Sequence, residues 1–354
     1  MDAPSASASA RVIGMVTRSH THPQTGSRAA LILALWLAVA WTIPATAQDE
    51  PDEMAPVPAI MMPLAPSSLL LDAAAAGDAL VAVGDRGHIL VSTDGGTSWR
   101  QSEVPSRSML TAVTFHDDRL GWAVGHDSVV LRTSDGGTTW ELMHWAPEEE
   151  SPFFDVWFDD AVNGIAIGAY GSFYRTADGG ETWDFEPIGD MDWHLHDIVR
   201  AADGTMYIAA EAGTILRSDD AGSTWTELSS PYEGSFFGIL PLGADSVLAY
   251  GLRGHLFRTE DKGESWTAIE TGTVAMLTAG AQLADGTVLI AGLGGTVLTS
   301  DDAGRSFALH QQPGRRGISS VLEIDDGTLL LTGEFGVRTT TLAELVAGRE
   351  GVQP

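Results

Sequence analysis

An eight-residue pattern, Ser/Thr-x-Asp-x-Gly-x-Ser/Thr-Trp, returns six times along this chain, and a fixed period of that kind is the mark of a repeat architecture. The copies are STDGGTSW (Ser92–Trp99), TSDGGTTW (Thr133–Trp140), TADGGETW (Thr176–Trp183), SDDAGSTW (Ser218–Trp225), TEDKGESW (Thr259–Trp266) and SDDAGRSF (Ser300–Phe307). Their aspartates, Asp94, Asp135, Asp178, Asp220, Asp261 and Asp302, stand 41, 43, 42, 41 and 41 residues apart. A second landmark, a small residue closing an apolar run with a Gly three positions on, extends the count. It occurs at Gly84/Gly87, Gly168/Gly171, Ala210/Gly213, Gly251/Gly254 and Gly292/Gly295, with Gly125/Ser128 as a variant. Gly333/Gly336 continues the series without a box behind it, so there are seven units.

Each unit reads as strand. Short apolar runs such as Leu80–Val83, Gly164–Ile167, Val247–Tyr250 and Val288–Ala291 alternate with turn signals, among them Asp203-Gly204, Asp285-Gly286 and Asp326-Gly327. Only Leu342–Val346 carries a hint of helix beyond the N-terminal region. The expected fold is all-β, a seven-bladed β-propeller of four-stranded antiparallel blades. The chain ends before blade seven completes its fourth strand. Ala55–Pro63 is expected to supply it, closing the ring and hiding an open edge.

The box has an evident local chemistry. Its Asp accepts N–H groups of its own turn, its Gly takes a positive φ, and its aromatic plugs the gap between sheets. Trp99, Trp140, Trp183, Trp225, Trp266 and Phe307 are thus explained by stability, each aromatic hiding about 150–250 Å². Arg132, Arg175, Arg217 and Arg258 precede four successive boxes. Two readings stand: each pairs locally with an aromatic or an Asp, or the four form a basic track that contacts a partner. Asp192-Trp193-His194-Leu195-His196-Asp197 is the one cluster of metal-capable side chains, with His194, His196 and Asp192 on one strand face. His196 aligns with Leu110, Phe154, Phe237 and Leu277 of other repeats, and a histidine pair without a ligand is the expectation. Glu148–Glu150 reads as a solvated loop.

Arg11, Arg18 and Arg28 flank an apolar run, Ala29–Trp41, and Ala45-Thr46-Ala47 has the form of a cleavage site. That is a secretory leader, and a run of about 13 apolar residues is short of the roughly 20 that span a bilayer. The expected layout is a leader over 1–47, a linker over 48–54, the propeller over 55–343 and a tail over 344–354. The mature chain is expected in the periplasm or outside the cell, not membrane-spanning, and monomeric. There is no cysteine, so the core alone must hold the fold. Losing the leader takes the formal net charge from −29 to −31, with Lys262 the only lysine, and such a surface repels nucleic acid.

The box resembles the Asp box, or bacterial neuraminidase repeat, of sialidases, other glycosidases and sorting receptors. The fuller unit, as in GTILRSDDAGSTW (Gly213–Trp225), with seven copies behind a leader, looks more like the photosystem II stability and assembly factor family. The resemblance runs from about Ala55 to Thr341. It implies an exported propeller that binds a newly made membrane subunit and catalyses nothing. Two features depart from that family's pattern: no cysteine is present for a lipid anchor, and only the four-Arg track matches its Arg-rich surface.

The expected function is therefore a scaffold or assembly factor for a membrane-associated or exported protein partner, with no catalytic residue, no metal and no cofactor. A sialidase-like glycosidase is the alternative. It requires a Tyr nucleophile paired with a carboxylate, and the family adds an Arg triad and an Arg-Ile-Pro motif that this chain lacks. Its five tyrosines, Tyr170, Tyr174, Tyr207, Tyr232 and Tyr250, include Tyr174 in a core strand. A glycan-binding propeller using Trp145, Trp157 or Trp193 is a third reading.

Overall fold

The computed structural model describes residues 55–325, 327–348 and 353, so the leader and linker expected over 1–54 lie outside the described residues. Six four-stranded antiparallel sheets and one three-stranded sheet follow one another in chain order. The first strand of each sheet is the inner one: Leu70–Ala76, Leu110–Phe115, Phe153–Phe158, Leu195–Arg200, Phe236–Pro241, Leu277–Gln282 and Ile318–Asp325. Each packs against the inner strand of the next sheet, and the seventh packs back on the first. The ring of seven blades expected from the repeat is the observed fold.

The second strand of each blade is buried along its length in blades two to six, as Gly121–Gly125, Gly164–Gly168 and Val288–Gly292 illustrate, and past its first residue in blades one and seven. Sheets covered on both faces read as continuous apolar runs rather than alternating ones, which is why these segments were so plain in the sequence. The core is divided into clusters between neighbouring blades. One holds Val81 and Val91 of blade one with Val113, Leu131 and Trp140 of blade two.

Closure of the ring differs from expectation. Residues 55–63 form no strand, and blade seven keeps three, its outer strand being Gly336–Thr341. The segment lies instead against blade one: Ala59 N–H donates to Val104 O (3.0 Å), Met62 N–H to Gln101 Oε1 (2.8 Å), and Gln101 Nε2 to Ile60 O (3.0 Å). Pro56, Pro58 and Pro63 explain this, since prolines donate nothing to a ladder. The turn at Ala65–Ser67 then backs onto blade seven so tightly that a Cβ on Gly336 would stand 1.9 Å from Pro66 O. After the last strand the helix Leu342–Val346 begins with a capping box between Thr341 and Glu344. Leu345 is fully buried against blades six and seven, so packing continues past residue 343.

Candidate partner-binding face

Antiparallel order gives the ring two unlike ends. The turns between first and second strands share one end with the boxes. The turns between second and third strands share the other with the connections that lead from blade to blade. We call them the box end and the connection end.

The box end is one construction copied six times. In blade two, Thr133 Oγ1 donates to Asp135 Oδ1 (2.9 Å) and accepts from Gly137 N–H (3.0 Å). Asp135 Oδ1 accepts from Thr139 N–H (2.9 Å) and Oδ2 from the Thr139 hydroxyl (2.7 Å). The same bonds recur about Asp94, Asp178, Asp220, Asp261 and Asp302. Hydroxyl and N–H donors of the seventh box residue hold Asp94, Asp178, Asp220 and Asp261 down at about 2. The fifth position needs its glycine. At Gly137 φ is +84°, and an added Cβ would lie 2.9 Å from Val81 Cγ2 of blade one. The box aromatics sit between blades: Trp140 is 6% exposed and gives its Nε1 hydrogen to Gly137 O (3.0 Å). Trp99, Trp183, Trp225, Trp266 and Phe307 pack on blade-to-blade clusters in the same way.

The four arginines ahead of the boxes reach across seams. Arg132 Nη1 donates to Gly179 O (3.3 Å), Arg175 to Gly222 O, Arg217 Nη1 to Lys262 O (3.1 Å) and Arg258 Nε to Ala303 O (3.0 Å). Every acceptor belongs to the next blade's box. Each also pairs with carboxylates, Arg132 with Glu141 and Glu181, Arg175 with Glu186, Arg217 with Asp219 and Glu264, Arg258 with Glu260. The side chain of Arg258 is only 6% exposed. The row that reads as a basic track is thus engaged as a set of inter-blade clamps.

The inner strands share a feature that the sequence conceals. All seven are bulged at one level, between the pairs Leu70/Asp72, Leu110/Ala112, Phe153/Asp155, Leu195/Asp197, Phe236/Gly238, Leu277/Ala279 and Ile318/Ser320. A bulge adds an unpaired residue and re-aims its side chain. Here the seven extra residues, Leu71, Thr111, Phe154, His196, Phe237, Thr278 and Ser319, all face a central channel of about 260 Å³. This corrects the sequence alignment: His196 matches Thr111 and Thr278, while Leu110 and Leu277 match the buried Leu195.

Beside the bulges the blades are stitched together. Asp72, Asp155 and Asp197 each accept an N–H from the next blade: Val113 (2.9 Å), Ile198 (2.8 Å) and Ile239 (2.7 Å). Thr111 and Thr278 donate forward to Phe153 O (2.9 Å) and Ile318 O (2.6 Å). Burial pushes all three carboxyls up, Asp155 further through the neighbouring charge of Asp197, and Asp197 to about 6. Burial likewise brings His196 down to about 4.

At the connection end the blades are not copies. The tips of the tight turns are left-handed residues of differing chemistry, Arg86, Asp127, Tyr170, Ala212, Arg253 and Gly294. Acidic groups gather over blades two to four, at Glu148–Glu150, Asp190, Asp192 and Glu211. Arginines gather over blades five to one. Arg86 and Arg107 line a groove of about 400 Å³ with Ile60, Met62 and His88, and Arg315 and Arg316 stand beside Arg338, which stacks 4.1 Å over Phe335. Tyr170 is 64% and Trp193 44% exposed, whereas Trp145 and Trp157 pack on clusters. His194 and His196 stack 6.2 Å apart, His194 Nε2 lies 4.0 Å from Glu211 Oε2, and Asp192 is exposed to solvent. Among the described residues no group of three or more His, Asp or Glu is placed to hold a metal ion. No described helix is long and apolar enough to cross a membrane.

Seven blades with unlike connections on a copied frame match a known set of proteins. The family model described as photosynthesis system II assembly factor YCF48 matches residues 96–152 and 143–332. The chain belongs to the YCF48 family. Among solved structures it is similar to "YCF48 bound to D1 peptide", with TM-score 0.65 and 19% identity over 81% of this chain and 99% of that one. It is also similar to "YCF48 from Cyanidioschyzon merolae", with TM-score 0.64 and 18% identity over 78% and 97%. The WD40 β-propeller domain of Doa1 shares the architecture at TM-score 0.62 and 14% identity over 81% and 96%. No curated protein matches the sequence. Identities this low carry the fold; the family rests on the model match. In this YCF48-family propeller the features that sequence reasoning missed are the bulge ring and its aspartates. Their only trace was an acidic residue, Asp72, Asp155 or Asp197, at the third position of three inner strands.

Proposed function

We propose that this chain is an exported, non-catalytic propeller that holds a segment of a membrane-associated or periplasmic protein during its assembly, and that the connection end is the face that does so. The observation that carries the reading is the family match over residues 96–332, joined to a relative whose structure holds a D1 peptide. The asymmetry of the two ends supports the choice of face. The box end repeats one hydrogen-bond set from blade to blade, whereas the connection end varies around the ring in charge and aromatic content. Loops on a rigid frame are where recognition is built. The leader pattern before Gln48 supports export, and the Arg clamps are proposed to act on the frame rather than on the partner.

In-cell crosslinking of the tagged protein, followed by mass spectrometry, tests this. A single enriched membrane or exported protein is the expected result. Capture of nothing above background overturns a stable-partner role, and turnover of a fluorogenic sialoside overturns the non-catalytic one. N-terminal sequencing of the mature protein is expected to begin at Gln48.

A further inference from the structure

A continuous run of rings leads from the rim of the connection end into the central channel. Tyr170 stands 4.9 Å from His194, His194 5.8 Å from Phe154, Phe154 5.5 Å from His196, and His196 4.7 Å from Phe237. The outer ring is open to solvent; the inner ones line the channel mouth. Below them the channel wall carries Asp72, Asp155 and Asp197. No Lys or Arg lines this channel among the described residues, so three carboxyls share it without a countercharge. The Tyr250 ring points into the same space. Tyr250 is 4% exposed. It fits because Gly238 and Gly280 carry no side chain: a Cβ there would meet the hydroxyl at 2.3 and 2.8 Å.

Aromatic faces attract a cation, and a planar guanidinium both stacks on rings and pairs with carboxylates. We propose that the channel mouth is a receptor for an arginine side chain of the bound protein segment, laid against the ring faces of Phe154, His196 and Phe237 that border the channel and directed at Asp155 and Asp197. The volume of about 260 Å³ admits one such side chain, and the net charge of the chain draws cationic segments toward it. Burial raises both carboxyls, Asp155 further through the neighbouring charge of Asp197, and an arriving guanidinium supplies a countercharge that favours their ionised form. The titratable groups facing the site are Asp72, Asp155, Asp197, His196 and Tyr250.

This inference rests on the protein-binding reading above and names the chemistry of its ligand. The test uses the purified protein and two capped Gly/Ser nonapeptides, one with a central arginine and one with citrulline, which keeps the shape and removes the charge. Binding is followed by NMR of the histidine rings. The arginine peptide is expected to shift His194 and His196 saturably, and the citrulline peptide to bind at least about tenfold more weakly, a difference of roughly 1.4 kcal/mol. The double variant Asp155→Asn/Asp197→Asn keeps oxygens for the Ile198 and Ile239 N–H groups and is expected to lose about the same factor. Phe237→Ala, which leaves the stitches alone, is the second variant and is expected to weaken the arginine peptide but not the citrulline one. Equal binding of the two peptides, absence of any saturable shift, or unchanged affinity in Phe237→Ala overturns the proposal. If crosslinking captures a partner while the arginine peptide fails, the binding function stands and this site falls.

Discussion

Trp140 offers the sharpest test of how the ring is held. Its indole lies 6% exposed in the seam between blades one and two, edge-on to Phe115 at 6.3 Å, among Val81, Val91 and Leu131. A buried aromatic hides about 150–250 Å², which at about 25 cal/mol per Å² sets an upper bound near 4–6 kcal/mol. Trp140→Ala also removes the Nε1 hydrogen bond to Gly137 O and leaves a void between rigid sheets, so a loss of about 3–5 kcal/mol is expected. Blade six already seats a phenyl ring at the same position, Phe307. Trp140→Phe is therefore expected to cost only about 1–2 kcal/mol, for the lost N–H bond and the lost ring volume. Urea unfolding followed by far-ultraviolet circular dichroism measures both. A loss under about 1 kcal/mol for Trp140→Ala, or equal losses for Ala and Phe, refutes the plug role of the box aromatics.

Further outcomes follow from the same geometry. The stability of the chain is expected to fall in strong acid: the box carboxylates held near 2 contribute above the ordinary value of 3.8 and lose that contribution as pH falls toward 2. The channel carboxyls act with the opposite sign, since their raised values give stability that is present below 3.8 and lost as pH rises, for Asp197 through about 6, while His196, brought down to about 4, adds stability as pH rises from there toward its ordinary 6.5. Thermal melts from acid to neutral pH check this, and Asp155→Asn/Asp197→Asn is expected to remove the loss that these carboxyls bring above 3.8. Gly137→Ala forces a side chain into a left-handed residue against Val81 and is expected to cost more than about 1 kcal/mol by urea unfolding, whereas Ala303→Gly at φ +59° is tolerated. Arg258→Ala strands the Ala303 carbonyl, leaves Glu260 to Arg305 alone and is expected to cost about 1–3 kcal/mol, while Arg107→Ala at the connection end changes stability by less than about 0.5 kcal/mol.

The repeat made most of the fold legible, because period, turn dipeptides and doubly covered strands are local properties. Seven units and the seam position of each box aromatic follow from them. What stayed hidden depends on pairing across the chain. The bulges exist only relative to a partner strand, so His196 was matched one residue out of register with Leu110 and Leu277. The segment over 55–63 is expected as a strand because blade seven lacks its fourth, but its three prolines decide its hydrogen bonding and lay it along blade one. Arg132, Arg175, Arg217 and Arg258 were visible as a row; that their acceptors lie on the next blade was not. The aspartates of the channel carry no local signal of their role, and their stitching of neighbouring blades needs the ring to be closed.

The central claim is that the connection end receives a protein segment, and site-resolved photo-crosslinking in the native host tests it most directly. A photoreactive amino acid is placed at Tyr170 and Trp193 on one end, and at Thr97 and Glu181 on the other. The account predicts that one membrane-associated or exported protein is captured from Tyr170 and Trp193, and that Thr97 and Glu181 give background only. Capture of the same protein from the box-end positions, with none from Tyr170 or Trp193, contradicts it.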